Sequence, residues 1–149
     1  MKSFFSDYIR GFNTKKWYRL YKMAENNRGF IKTLLTALYM KMVSNNGGYI
    51  GRETILKGEP TLPHGFHGIH ISRGATIGTG VTIYQNVTIG AGKDGAPIIG
   101  NNVLIGAGAI IVGGGKIGDN VKIGAGAIVI GDVPDNCTVV SEKSKIIQK

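Results

Sequence analysis

The chain has 149 residues and a formal net charge of +9, enough for one domain with an appendage and too short for two independent globules. A single cysteine, Cys137, excludes an internal disulfide and suits a reducing compartment. No run approaches the roughly 18 apolar residues of a membrane span. The opening MKSFFSDYIRGF holds an acidic residue and no long apolar core, so a secretory signal is not expected and the chain reads as cytoplasmic.

In chain order, residues 1–48 form a first region with its own rules, a basic helical cap. Residues 1–49 hold nine Lys/Arg against two Asp/Glu, whereas residues 50–149 hold nine against seven. Ten of the 12 aromatics and just four of the 24 glycines also fall in residues 1–49. Asn13 or Thr14 suits the cap of a helix beginning near Lys15, with Trp17, Leu20, Tyr21 and Ala24 at helical spacing. Asn26, Asn27, Arg28 and Gly29 break it. A second helix is expected over 30–43, its stripe formed by Ile31, Leu34, Leu35, Leu38 and Met42. Asn45, Asn46, Gly47 and Gly48 end it. The basic charge alone fits nucleic acid, an acidic membrane surface or a solvated face, and no nucleic-acid partner is expected. The simplest role for the pair is to cover an open sheet end, with peripheral membrane contact through 1–48 as the sharper reading.

From Ile50 onward the chain keeps a beat of six. Ile50, Leu56 and Leu62 lead the first units, and Ile71, Ile77, Ile83, Ile89, Ile99, Ile105, Ile111, Ile117, Ile123 and Val129 lead the later ones. A small apolar residue follows four places on, at Ala75, Val81, Val87, Val103, Ala109, Val121 and Ala127, with Gly, Asn or Asp between. Flexible Gly-rich linkers do not repeat isoleucine on a fixed period. A period of six marks an all-β solenoid of hexapeptide repeats, three to a triangular coil, here over 49–136 with a tail over 137–149. Glycine and asparagine at the corners accept the positive φ that the turns need.

Two bulges break the count. Residues 63–70 add three to the step between Leu62 and Ile71 and contain all three histidines, His64, His67 and His70. Residues 91–97 add four before Ile99. Long loops on a regular scaffold are where function gathers. Histidines spaced by three on extended chain point to opposite sides, and no Cys or carboxylate cluster completes a metal site, so no metal is expected. An imidazole, which ordinarily titrates near neutrality, suits general-base work. A GxSxG nucleophile elbow and a GxxxxGK[ST] phosphate loop are both lacking.

The segments LPHGFHGIHIS, IGTGVTIYQNVTIG and APIIGNNVLIGAGAIIVGGGKIGDNVKIGAGAIVIGDVP resemble the hexapeptide-repeat acyltransferases, from Tyr49 to about Ile147. Within that family the likeness is to serine acetyltransferases and to O-acetyltransferases of bacterial surface polysaccharides. The resemblance implies a left-handed parallel β-helix, a homotrimer, and acetyl-coenzyme A as acyl donor. The catalytic histidine of the serine enzymes lies fourteen residues after the first leading Ile, which from Ile50 lands on His64; His67 is the reserve. The family pattern also implies donor contacts at Gly106, Ala107, Lys122, Gly124, Ala125 and Lys145.

Three positions depart from the serine enzymes. Their Asp before the first Ile is Tyr49, their second histidine corresponds to Ala96, and their closing segment keeps only Lys145. These departures favour the hydroxyl of a sugar or surface-polysaccharide precursor, held by Phe66, Tyr84 and Gln85 and met in the cytoplasm or at the inner membrane face. Serine is the alternative acceptor. A β-helical scaffold and a carbonic-anhydrase-like zinc protein are the non-transferase alternatives, although the zinc version shares histidines across a trimer interface and here all three lie in one loop.

Overall fold

The computed structural model describes residues 14–142 and residue 147. Two helices precede a left-handed parallel β-helix of about five coils. Face 1 stacks Tyr49–Ile50, His70–Ile71, Thr88–Gly90, Ile110–Val112 and Ile128–Ile130. Face 2 stacks Ile55–Leu56, Thr76–Ile77, Ile98–Ile99 and Lys116–Ile117. Face 3 stacks Thr82–Ile83, Leu104–Ile105, Lys122–Ile123 and Thr138–Val139, with Thr61 bridged to Thr82. Every strand pair is parallel and in register, so leading residue meets leading residue: Ile50 on Ile71, Ile77 on Ile99, Ile105 on Ile123. Coils stack at about 4.8 Å, the ordinary strand spacing.

The core is therefore a set of aliphatic columns. Ile77, Ile83, Ile89, Ile105, Ile117 and Ile123 are each 0% exposed, and so are the corner residues Ala75, Val81, Val87, Ala109, Val121 and Ala127. Each fully buried Ile contributes roughly 1.5–3 kcal/mol of apolar transfer. The edge between faces 2 and 3 is sealed differently. Asn102, Asn120 and Asn136 take φ of 54°, 57° and 60°. Asn102 Nδ2 donates to Asn120 Oδ1 and Asn120 Nδ2 to Asn136 Oδ1, a ladder that repeats with the coil. Beside it Asn101 N–H donates to Asp119 Oδ1 at 2.7 Å, which holds the Asp119 carboxyl below the usual carboxylate range.

The solenoid runs past the expected boundary at 136. Thr138–Val139 pairs with Lys122–Ile123, and Val133 bridges to Ile117. The last coil is two residues shorter per turn than the regular eighteen, which hides it from a count by six.

Helix α1 (Thr14–Glu25) and helix α2 (Gly29–Asn45) cover the first coil. Helix α2 ends in a Schellman turn: Gly47 sits at φ +76°, its N–H donates to the Ser44 carbonyl, and Gly48 N–H donates to the Val43 carbonyl. The cap is fastened by aromatics. Trp17 is 0% exposed, and its ring meets Phe66 edge-on at 4.9 Å. Tyr21 Oη donates to the Thr54 carbonyl and accepts the Leu56 N–H, both at 3.0 Å, so a hydroxyl occupies the outer edge of the first strand of face 2.

The side of α2 that does the covering differs from expectation. Tyr39 and Val43 are the buried residues, while Ile31, Leu34 and Leu38 of the expected stripe are 56%, 49% and 46% exposed, with Phe30 beside them at 80%. Leu35 and Met42 are half-buried at the stripe's margin. The apolar stripe is real, but it faces away from the solenoid. Among the described residues no helix is long and apolar enough to cross a membrane.

Candidate active site

The bulge of residues 63–70 leaves face 3 after Leu62 and re-enters face 1 at His70, so it caps the edge between those faces. Gly65 and Gly68 both take φ of 66°, which lets the loop double back. Its backbone is pinned from three directions: Gly68 N–H donates to the Gly47 carbonyl, Asn86 N–H donates to the His67 carbonyl, and Ile69 N–H donates to the Phe66 carbonyl, all at 2.9 Å.

The three histidines separate by role. His70 is exposed, with Nδ1 3.2 Å from the Gly68 carbonyl and its ring stacked on Tyr49 at 6.4 Å. His67 is exposed beside Gly47. His64 is also exposed, and its ring lies 5.9 Å from that of Tyr84 on the coil below. Among the described residues His64 makes no side-chain hydrogen bond. Its imidazole is open to an incoming proton donor, and the Tyr84 ring is the aromatic neighbour recorded beside it. No group of three or more His, Cys, Asp or Glu stands together among the described residues.

Below His64 the same edge continues as a column that narrows to small residues on the later coils. Tyr84, Gln85 and Asn86 form it on the second coil, Gly106, Ala107 and Gly108 on the third, Gly124, Ala125 and Gly126 on the fourth. The backbone links them: Gly108 N–H donates to the Gln85 carbonyl, and Gly126 N–H donates to the Ala107 carbonyl. A Cβ on Gly106 would sit 2.6 Å from Ala125 N, so the column closes only with glycine there. Gly108 and Gly126 have nothing within 4 Å of a would-be Cβ. They leave a bare backbone shelf beneath His64, and Lys122 stands exposed on the adjoining face. Gln85 Oε1 is buried there without a hydrogen-bond partner among the described residues. The structure thus brings together His64, Tyr84, Gln85, Gly106, Ala107, Gly124 and Ala125, with Lys122 beside them. Lys145 lies outside the described residues.

Phe66 departs from its expected part. It is 1% exposed, turned onto Trp17, and Gly48 approaches so closely that a Cβ there would lie 2.7 Å from Phe66 Cβ. Its ring fastens the cap and offers no face to a ligand. Tyr49, which stands in place of an aspartate, contacts His70 and not His64. Ala96 sits in the other bulge, on the edge between faces 1 and 2, near Gly74. The two bulges of one chain therefore flank opposite edges of face 1.

Residues 96–131 match the family described as bacterial transferase hexapeptide (six repeats). A serine acetyltransferase of Staphylococcus epidermidis is 36% identical over 136 residues, covering 89% of this chain and 61% of that protein. Soybean serine acetyltransferase complexed with serine superposes with a TM-score of 0.74 at 30% identity, over 93% of this chain and 57% of that one. The serine complex of the Neisseria gonorrhoeae enzyme gives 0.67 at 34% identity, over 89% and 53%. Residues 96–131 thus carry the repeats of that transferase family, and the chain around them is similar to hexapeptide-repeat acyltransferases. The chain spans less than two thirds of the length of these relatives. These relatives are serine enzymes, and none speaks for the sugar acceptor or the membrane face expected from the sequence.

Proposed function

We propose that the protein is an O-acetyltransferase that moves an acetyl group from acetyl-coenzyme A to the hydroxyl of serine. The observation that carries the reading is His64, exposed and without a side-chain hydrogen bond among the described residues, at the head of a bare glycine shelf on a hexapeptide-repeat solenoid. The likeness to serine acetyltransferases supports the acceptor, in place of the sugar or polysaccharide precursor expected from the sequence.

Acetyl-coenzyme A supplies the acetyl group as a thioester. His64 accepts the proton of the acceptor hydroxyl as its oxygen bonds to the acetyl carbon. The carbon–sulfur bond breaks, and His64 returns the proton to the departing sulfur. A backbone N–H of the glycine-rich edge steadies the oxyanion, an effect commonly worth about 3–4 kcal/mol. Gly106, Ala107, Gly124 and Ala125 would present little bulk to the pantetheine arm, and Lys122 would meet the phosphates. Gln85 Oε1, buried and unpaired among the described residues, is an acceptor that a ligand N–H or O–H would satisfy. Tyr84 positions the His64 ring.

The acceptor is tested by thiol release from acetyl-coenzyme A against serine and a panel of nucleotide sugars and oligosaccharides. Serine is expected to respond at ordinary enzymatic kcat/KM, above about 10⁴ M⁻¹s⁻¹, with the sugars silent. Turnover with a sugar and none with serine reverses the assignment.

The working unit is proposed to be a homotrimer. The His64 loop and residues 91–97 flank opposite edges of face 1, so a second copy is needed to bring one against the other. Face 1 also carries outward Ile128 and Ile130, 65% and 83% exposed in the single chain. Light scattering should report three times 15.9 kDa. An active particle of single-chain mass refutes the trimer.

A further inference from the structure

A cleft of about 430 Å³ opens between the helical cap and the first coil, on the edge between faces 1 and 2. It is remote from the edge that carries His64, and its volume falls within the usual range for small-molecule sites. Its lining holds two cations and two carboxylates, but they form no ion pair with one another. Lys32 of α2 and Arg52 of the first corner both line it, and neither has a carboxylate at ion-pair distance among the described residues. The two carboxylates on the rim are already engaged. Glu25 pairs with Lys22 at 2.6 Å, and Glu53 accepts from Arg73 Nε at 2.8 Å and from Arg73 Nη2 at 3.1 Å. That forked contact holds the Glu53 carboxyl below the usual carboxylate range, so Glu53 stays ionised and paired with Arg73.

The rim is also strained. Glu53 sits at φ +63°, whereas Asn86, Asn102, Asn120 and Asn136, the other non-glycine residues at positive φ among those described, are all of the type that tolerates it. A left-handed glutamate clamped by arginine, next to an arginine that faces a cleft, is the kind of strained backbone found at functional sites. Inside, the hydroxyls of Thr36 and Tyr39 make no hydrogen bond among the described residues. Tyr39 is 4% exposed, and burial raises its pKa, so the hydroxyl keeps its proton as a donor. Tyr21, Ala24 and Ile55 supply an apolar wall.

We propose that this cleft binds a small organic anion, a carboxylate or phosphate ester with a compact apolar body. Lys32 and Arg52 meet its charge, and Tyr39 donates a hydrogen bond. The inference stands apart from the chemistry at His64. Helix α1 nevertheless joins the two places, since Tyr21 lines the cleft and Trp17, one turn earlier, packs on Phe66 in the His64 loop. The site is thus placed to bias that loop, and Trp17, the only tryptophan, reports on it.

The test titrates benzoate, phenyl phosphate and benzyl alcohol into the full-length protein, reading Trp17 fluorescence and the Ile55 methyl signal. At least one of the two anions is expected to give saturable shifts, benzyl alcohol none, and the better anion names the ligand class. Lys32→Gln and Arg52→Gln should each weaken that binding about three- to fivefold and together about tenfold, with added salt acting in the same direction. Tyr39→Phe should weaken it further. Equal binding of benzyl alcohol, unchanged affinity in a double variant with a native circular dichroism spectrum, or no saturation by about 10 mM overturns the proposal.

Discussion

Replacing His64 with asparagine is expected to lower kcat for acetyl transfer by about 10²–10⁴-fold while circular dichroism, melting temperature and particle mass stay unchanged. The expectation rests on geometry. His64 is exposed, its side chain makes no hydrogen bond among the described residues, and the loop around it is held by backbone hydrogen bonds and by Phe66. Asparagine removes the proton acceptor and little else. The companion His67→Asn should retain most of the activity, because that ring lies against Gly47, away from the shelf. Near-normal kcat in a well-folded His64→Asn protein, with loss in His67→Asn, transfers the role to His67.

Trp17→Ala is the second large effect expected, this time on stability. The indole is 0% exposed and meets Phe66, Tyr18 and Tyr21 at 4.9, 5.7 and 6.5 Å between ring centroids. Truncating a buried tryptophan costs about 3–5 kcal/mol, since the neighbours cannot close the cavity. For a chain of this size the melting midpoint should fall by roughly 10 °C. Activity should fall as well below the melting range, because Phe66 loses its partner and the loop that positions His64 loosens. Trp17→Phe should restore most of both. A melting curve for Trp17→Ala within about 1 °C of the parent would show that the cap is not fastened through this contact.

These two predictions differ in how far each could be read from the chain itself. His64 was legible as a break in a count. The beat of six from Ile50 makes three surplus residues visible, and the histidines stand in them. Trp17 was legible only as a member of a helical stripe. Nothing in its spacing announces that its partner is Phe66, 49 positions away, which as a loop aromatic beside two histidines was expected to hold a substrate.

By itself the sequence determined the solenoid, its start at Ile50 and its two interruptions, because each hexad buries its own leading residue and turns its own corner; the information is local and repeats. It also determined that the cap is two helices broken near Asn26–Gly29, since period and turn residues are local signals as well. Only the tertiary structure decided which face of α2 is buried. A helical period says which side chains share a face, not what lies against that face, and the solenoid end accepts Tyr39 and Val43 while Ile31, Leu34 and Leu38 look outward. Only stacking decided that His64, Tyr84, Gly106 and Gly124 share one edge while residues 91–97 occupy another, because edge membership depends on coil lengths that the bulges and the shortened last coil alter. The cleft with Lys32 and Arg52 belongs to the same class. It arises where two regions of different periodicity meet, and no pattern within either region contains it.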